Sequence, residues 1–365
     1  MQFPLIKKFN KFIIWILIGV VVLVGFNIII PAPRHTPKTT NKIQGIWVTH
    51  VGNNFLSYTG QTDNVFHQLS GLNFNRIYVD VYNGGTTYPS KYSLKNNRIT
   101  LPFTDPLKAA IKEGERQGLK IYAWYEHGMM LHLNSKFAKQ HPDWLLKTST
   151  GKKAIDQHLW LNPNHPDVQQ YFINLFTEVA KNYPNLYGIQ LDDHWGIPTQ
   201  FGNHARVMTE LTRKIYQAVK TINPNLIISL SPNSPSFSYI KYSQNWLYWV
   251  RQGLIDEVIV QIYRKTSQEV INTLKSSGLR EASYYVPVAV GIYSGEFYRP
   301  KPINELNKQI KIAENYGYGY SLFCWESTYS PFRRVKPEQK EVFVKTYLSI
   351  KKLFFNLIRF LKLLV

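Results

Sequence analysis

The sequence predicts a (β/α)8 TIM barrel preceded by a single N-terminal transmembrane segment, and three observations carry that prediction. From residue 43 onward, short β-branched or aromatic runs alternate with helical patterns, eight of each, and such alternation implies a parallel sheet. The eight units span about 300 residues, the size of one barrel, and no GxGxxG phosphate loop follows the first strand as a doubly wound dinucleotide fold would require. Ahead of them, residues 12–30 carry no charge and contain only Asn27 as a strongly polar group, close to the ~20 apolar residues that span a bilayer.

The elements follow in order. Lys7, Lys8 and Lys11 precede the apolar run, which fits a signal anchor or a signal peptide. The run is longer than an ordinary signal core, and no clear small-x-small site precedes Pro31, Ala32 and Pro33. The flanking lysines favour a cytoplasmic amino end, so the expectation is a single-pass protein of the cytoplasmic membrane whose remainder faces the periplasm or cell exterior. Residues 31–42, rich in Pro, Thr and Lys, read as a short exposed linker. Residues 43–350 form the barrel domain, with strands expected at 45–50, 76–82, 120–126, 188–192, 226–231, 257–263, 284–290 and 320–325. The clearest helix starts at Thr104, Asp105 and Pro106, a cap with proline in the first turn, and stops at Gly118. Another, over 166–183, places Val168, Phe172, Leu175 and Val179 on one face. The connection from His127 to Pro166 far exceeds the usual two to six residues and reads as a cleft wall or a packed insertion. Within it the turn from Thr148 to Lys152 predicts a hairpin between 144–146 and 154–155. Residues 351–365 read as a basic amphipathic tail, either an interfacial membrane helix or a helix packed on the barrel.

Composition narrows the function. A hydrophobic fraction of 44% with 18% charged residues excludes disorder for the whole chain. The single cysteine, Cys324, excludes an internal disulfide and a cysteine-based zinc site. The formal charge of +20 resembles a nucleic-acid signature. Yet Lys7, Lys8, Lys11, Arg34, Lys38 and Lys42 at one end and Lys351, Lys352, Arg359 and Lys362 at the other supply half of it, beside apolar sequence. Basic charge joined to apolar surface points to membrane lipid and away from nucleic acid.

In a TIM barrel the chemistry sits where strands end. The residues at those ends are His50, Asn83, Glu126 with His127, Asp192 with Asp193 and His194, Asn233, Gln261 with Tyr263 and Arg264, and Glu326. Three strands thus deliver carboxylates to one rim. The motifs GIWVT (45–49), LNFN (72–75), VYNGG (81–85), AWYEHG (123–128), HPDW (141–144), WLNP (160–163), GIQLDDH (188–194), SLSPN (229–233), VQIYR (260–264) and WES (325–327) resemble the family 10 glycosyl hydrolase-like proteins over residues 43–335. That resemblance implies a TIM-barrel glycoside hydrolase, with peptidoglycan glycan strands, stripped of their peptides, as one candidate substrate. The stretch after Gly202, before the next helix, is shorter than the family pattern.

The residues support the same chemistry independently. Glycoside cleavage uses one protonated carboxyl to release the leaving oxygen and one ionised carboxyl as nucleophile or base. Alternation through 188–192 turns Gln190 and Asp192 to one face and Ile189 and Leu191 to the other, so Asp192 points into the mouth; Asp193 has the opposite parity and either caps the turn or swings to the cleft. Glu126, in phase with Tyr122 and Trp124 on the adjacent strand, is the favoured acid, and Glu326 from the eighth strand competes for that role; a salt bridge to Arg264 is the bland alternative for either glutamate. His50, His127, His132 and His194 lie near rim loops without HxH or HExxH spacing, so no metal or other cofactor is expected, and histidine instead bonds sugar or positions protons. Trp124, Trp160, Trp195, Tyr263 and Trp325 offer faces for sugar stacking or simply pack, while Asn83, Asn233, Gln261 and Arg264 add polar contacts. A binding protein that kept the cleft without turnover is the alternative reading; retention of all three rim carboxylates counts against it. Full-length protein is expected in the membrane fraction on cell fractionation, and recovery wholly in the soluble cytosol would exclude the anchor.

Overall fold

The computed structural model describes residues 15, 18–19, 32–35, 40–93 and 104–330. The expected anchor, apart from three residues, and the expected basic tail at 351–365 lie outside the described residues. Among the described residues no helix is long and apolar enough to cross a membrane.

Eight parallel strands close the barrel: β1 (Gln44–Val48), β2 (Arg76–Asp80), β3 (Lys120–Tyr125), β4 (Gly188–Asp192), β5 (Ile227–Ser231), β6 (Glu257–Gln261), β7 (Val288–Tyr293) and β8 (Gly319–Phe323). Each pairs with its sequence neighbours, and β8 closes onto β1 through Gln44 opposite Tyr320. A helix or helix pair follows every strand. The helix Pro106–Gln117 begins and ends as its sequence dictates. Asp105 accepts the Lys108 N–H at 2.9 Å, and Gly118 takes the left-handed conformation with φ 66°. On the helix Pro166–Asn182, Val168, Phe172, Leu175 and Val179 are all buried.

Two apolar layers result from strand alternation. Outward residues such as Ile77, Val79, Ile189 and Leu191 meet the helices in the larger cluster. Inward residues Trp47, Tyr78, Tyr122, Trp124, Ile259 and Ala289 fill the barrel itself. Room for two of these rings comes from glycine: a Cβ on Gly45 would stand 2.7 Å from the Tyr78 ring, and one on Gly188 2.5 Å from that of Tyr122.

The interior is also threaded by polar groups. At its base Glu257 pairs with Arg76 at 2.8 Å and accepts from Tyr78, Tyr122 and Ser229 at 2.9, 3.1 and 3.2 Å. Above it Gln190 donates to Ser229 at 3.2 Å and accepts from the Trp47 indole at 2.6 Å. Four side chains therefore satisfy the one buried carboxylate of Glu257, and its removal would leave Arg76 uncompensated.

Several boundaries differ from the sequence reading. The seventh strand runs from Val288 to Tyr293; Tyr284 and Tyr285, despite their strand propensity, close the helix Leu279–Ala282 by donating to Glu281 and Ala282. The first strand stops at Val48 because Thr49 caps the helix His50–Thr59. In the long insertion, Leu145 and Leu146 pair with Leu161 and Trp160, not with Ala154–Ile155. The hairpin joins Ala154–Ile155 to His158–Trp160, where Asp156 and Gln157 adopt positive φ of 51° and 62°. Nor does the described part of the linker run free. Ala32 is buried and donates its N–H to Asp63 at 2.8 Å, and Arg116 and Gln117 donate to the carbonyls of Ala32 and Pro33. Glu257→Ala is expected to cost about 3–5 kcal/mol of stability, to be read from denaturant unfolding; a change near zero would refute the role given to this carboxylate.

Candidate active site

Asp192 ends β4 with its side chain inward and 4% exposed. Every hydrogen bond to its carboxylate comes from an N–H group. Oδ1 accepts the Asp193 backbone N–H at 2.8 Å and the Gln261 amide at 2.6 Å, and Oδ2 accepts the Trp124 indole at 3.0 Å. Burial first and then the neighbouring Asp193 hold its carboxyl well above the usual aspartate range, and the Asp193 N–H and Trp124 donors offset part of that rise. Asp193 itself turns sideways: Asn233 donates to its Oδ2 at 2.8 Å, and His194 Nδ1 lies 3.2 Å from its Oδ1.

Glu126 follows β3 on the same rim. Its Oε2 accepts the Asn83 amide at 2.9 Å, while Asn83 Oδ1 faces His132 Nε2 at 2.8 Å. Burial first, then the charge and direct contact of Asp80, then Asp192, hold the Glu126 carboxyl well above the usual glutamate range. Both carboxyls are thus buried beside another carboxyl and raised, and they differ in their donors, three on Asp192 and one on Glu126. Glu326, the expected competitor, sits on the short helix Trp325–Thr328 and is tied down. Its Oε1 accepts both the Thr49 N–H and O–H at 3.0 and 2.6 Å.

Around these groups lie five histidines. His50 Nδ1 is 3.3 Å from Asp80 Oδ2, which raises its pKa despite burial. His127 is buried against His132 and His158, with ring centroids 4.6 and 6.1 Å away, and burial plus the neighbouring imidazoles push it down to about 2. His194 Nδ1 approaches the Glu126 carbonyl at 3.2 Å. The three-stranded sheet of Met130–His132, His158–Trp160 and Ala154–Ile155 brings His132 and His158 to this side. Tyr263, Tyr293 and Phe323 cluster with centroids 5.4 to 6.4 Å apart. The carboxyls Asp192, Asp193 and Glu126 act on the Tyr263 phenol, whose pKa rises chiefly by burial.

The structure therefore gathers Asp192, Asp193, Glu126, His50, Asn83, Trp124, His127, His194, Asn233, Gln261 and Tyr263 on one rim. Four expected binding residues are elsewhere. Trp195 packs on Phe172 and Phe176 and donates its indole N–H to Thr212 at 2.9 Å, inside the helical layer. Trp160 is fully buried and bonds the Ile155 carbonyl at 3.1 Å, holding the insertion together. Trp325 is 3% exposed within the outer core. Arg264 is exposed and turned toward Thr273 and its own neighbour's carbonyl, at 3.0 and 3.1 Å, so it pairs with neither glutamate.

Asp80, Tyr293 and Phe323 were missed by sequence reasoning. Asp80 was legible from phase, since it alternates inward with Arg76 and Tyr78. The strand was read through to Tyr82, which hid its end. Two groupings of described residues, His50 with Asp80 and Glu126, and Asp192 with Asp193 and His194, bring possible ligand atoms within 4.8 Å of one another. In the second, Asp192 and Asp193 accept N–H donors; in the first, Asn83 donates to Glu126 and His50 lies 3.3 Å from Asp80.

A closed β/α barrel whose strand ends converge buried carboxyls is the plan of a glycosidase-like protein. Residues 42–210 and 204–314 match the family Glycosyl hydrolase-like 10, and the chain belongs to that family. The glycosyl hydrolase DigH of Escherichia coli (strain K12) is 24% identical over 305 residues, covering 63% of this chain and 67% of that protein. Its Shigella flexneri counterpart matches to the same extent. An alpha-galactosidase structure from Thermus thermophilus aligns over 89% of this chain with a TM-score of 0.53 and 13% identity. The GH36 alpha-galactosidase AgaA from Geobacillus stearothermophilus aligns over 86% with a TM-score of 0.54 and 12% identity. The chain spans 64% and 42% of those two proteins, and the likeness shows a shared fold. Trp195→Ala is expected to lose about 3–5 kcal/mol of stability in denaturant unfolding while the folded fraction keeps its glycan affinity, which a sugar-stacking tryptophan would not allow.

Proposed function

We propose that this protein is a glycoside hydrolase that cleaves glycan strands of peptidoglycan, with Asp192 as nucleophile or base and Glu126 as acid. The contrast between the two carboxyls carries the assignment. Asp192 is met by three N–H donors and no acceptor, an arrangement that favours its carboxylate. Each has a carboxyl neighbour, Asp193 for Asp192 and Asp80 for Glu126, but Glu126 has one donor to offset it, an arrangement that favours its acid form. In the reaction the Glu126 proton passes to the glycosidic oxygen as the bond to the anomeric carbon breaks. Asp192 either attacks that carbon or takes a proton from the attacking water. Glu326, with one oxygen committed to Thr49, is the weaker candidate acid.

Peptidoglycan is supported by the motif resemblance to a family with members acting on that polymer. Placement of the barrel outside the cytoplasmic membrane is supported by the lysine-flanked uncharged run at 12–30. The Tyr263, Tyr293 and Phe323 rings suit the apolar faces of sugars.

Mass spectrometry of products from amidase-stripped and intact peptidoglycan tests the substrate, with shortened glycans expected from the stripped polymer. Asp192→Asn is expected to lower turnover about 100-fold or more while binding survives; near-normal turnover by the folded variant would defeat the scheme. Glu126→Gln should spare aryl glycosides with good leaving groups and cripple natural glycans. If Glu326→Gln shows that pattern instead, the acid is Glu326. Because Glu126 must be protonated, kcat/KM is expected to fall as pH rises through its elevated pKa.

A further inference from the structure

Asp80 ends β2 pointing into the barrel mouth with none of its surface exposed. Its Oδ1 accepts the Tyr82 N–H at 3.0 Å. Its Oδ2 is enclosed and meets no hydrogen-bond donor in bonding geometry among the described residues; His50 Nδ1 lies 3.3 Å away. A buried carboxylate oxygen without a donor is costly. One neighbour able to relieve it is Glu126, whose carboxyl belongs to the same grouping with atoms within 4.8 Å. Two enclosed carboxyls at such range cannot both be ionised at little cost, whereas one proton between them removes the repulsion and fills the empty acceptor.

We propose that Asp80 is the positioning residue of this site, accepting the proton that Glu126 carries and so keeping Glu126 loaded for donation. The inference takes its purpose from the hydrolase reading, and its geometry stands apart from it. Asn83 donates to Glu126 Oε2 at 2.9 Å, so the proton is assigned to the other oxygen, Oε1. His50, at the start of the helix after β1, lies against Asp80 and offsets its charge. The groups facing Glu126 come from four sides: Asp80 and Asn83 at the end of β2, Asp192 from β4, His194 from the following turn, and His50 beyond Asp80. Facing His50 from the β8 side is Glu326. Asp80 and Asp192 raise the Glu126 carboxyl, and the Asn83 amide lowers it.

Carbon-13 NMR of the full chain labelled at glutamate carboxyls reads this directly, with the Glu126 signal identified by its loss in Glu126→Gln. In the wild type that signal is expected to titrate well above ordinary glutamates. Asp80→Asn keeps the shape and the Tyr82 contact but offers Glu126 an N–H instead of an acceptor. Its Glu126 midpoint is expected to fall by about one pH unit or more, and the basic limb of kcat/KM to move down with it. A merely structural Asp80 would lower activity at every pH and leave the limb in place. Ordinary titration of Glu126 in the wild type overturns the proposal without requiring Asp80→Asn to fold, as does an unmoved midpoint in the variant. An ordinary midpoint that rises on adding EDTA would overturn it in favour of a cation held between the carboxyls. Both titrations as expected, with no turnover of any glycan, would refute the hydrolase reading and leave the assignment of Asp80 intact.

Discussion

Closure of the barrel forces every second strand residue into a narrow interior, and any polar group placed there must find its partner across that interior. The other features of the molecule follow from this constraint. Glu257 at the base is satisfied by Arg76, Tyr78, Tyr122 and Ser229 from three other strands. Gln190 is satisfied by Trp47 and Ser229. At the top, Asp192 is satisfied by Trp124 and Gln261 from either side. The same alternation that builds the structural base therefore delivers a gripped carboxylate to the mouth, two residues above Gln190 on one strand.

The rim separates its carboxyls by what surrounds them. Donors converge on Asp192, a second carboxyl stands beside Glu126, and Thr49 engages Glu326. Identical chemistry in three places thus meets three environments, and a buried carboxyl is governed by whether its neighbours give or compete for protons. Histidines divide likewise. His50 is drawn toward its charged form by Asp80, while His127, enclosed among other imidazoles, stays neutral.

The long insertion after β3 serves both fold and site. Trp160 is its internal fastener, its own strand carries His158, and the strand paired with it carries His132 to Asn83. After β4 the next long helix begins at Ala205, three residues beyond Gly202. Aromatic residues accordingly serve two ends, with Trp195 and Trp325 supporting the barrel from outside and Tyr263, Tyr293 and Phe323 grouped at the mouth.

Alternation and local capping are short-range effects, so the sequence by itself determined the eight β/α units, the cap at Asp105, the exit at Gly118 and the inward phase of Asp192 and Gln190. It also placed Glu126 and Glu326 at strand ends. What those side chains touch depends on residues far away in the chain, and only the tertiary structure decided it. Glu126 meets Asn83 and Asp80, Asp192 meets Gln261, and Glu326 meets Thr49. The tryptophans show the same division: their positions near strand ends were legible, but which side of the sheet each ring occupies depends on how the backbone turns after the last paired residue. Trp195, three residues past Asp192, turns under the helices to Thr212, and Asp80, two residues before the apparent end of its strand, is buried beside Glu126 where pairing with β3 ends.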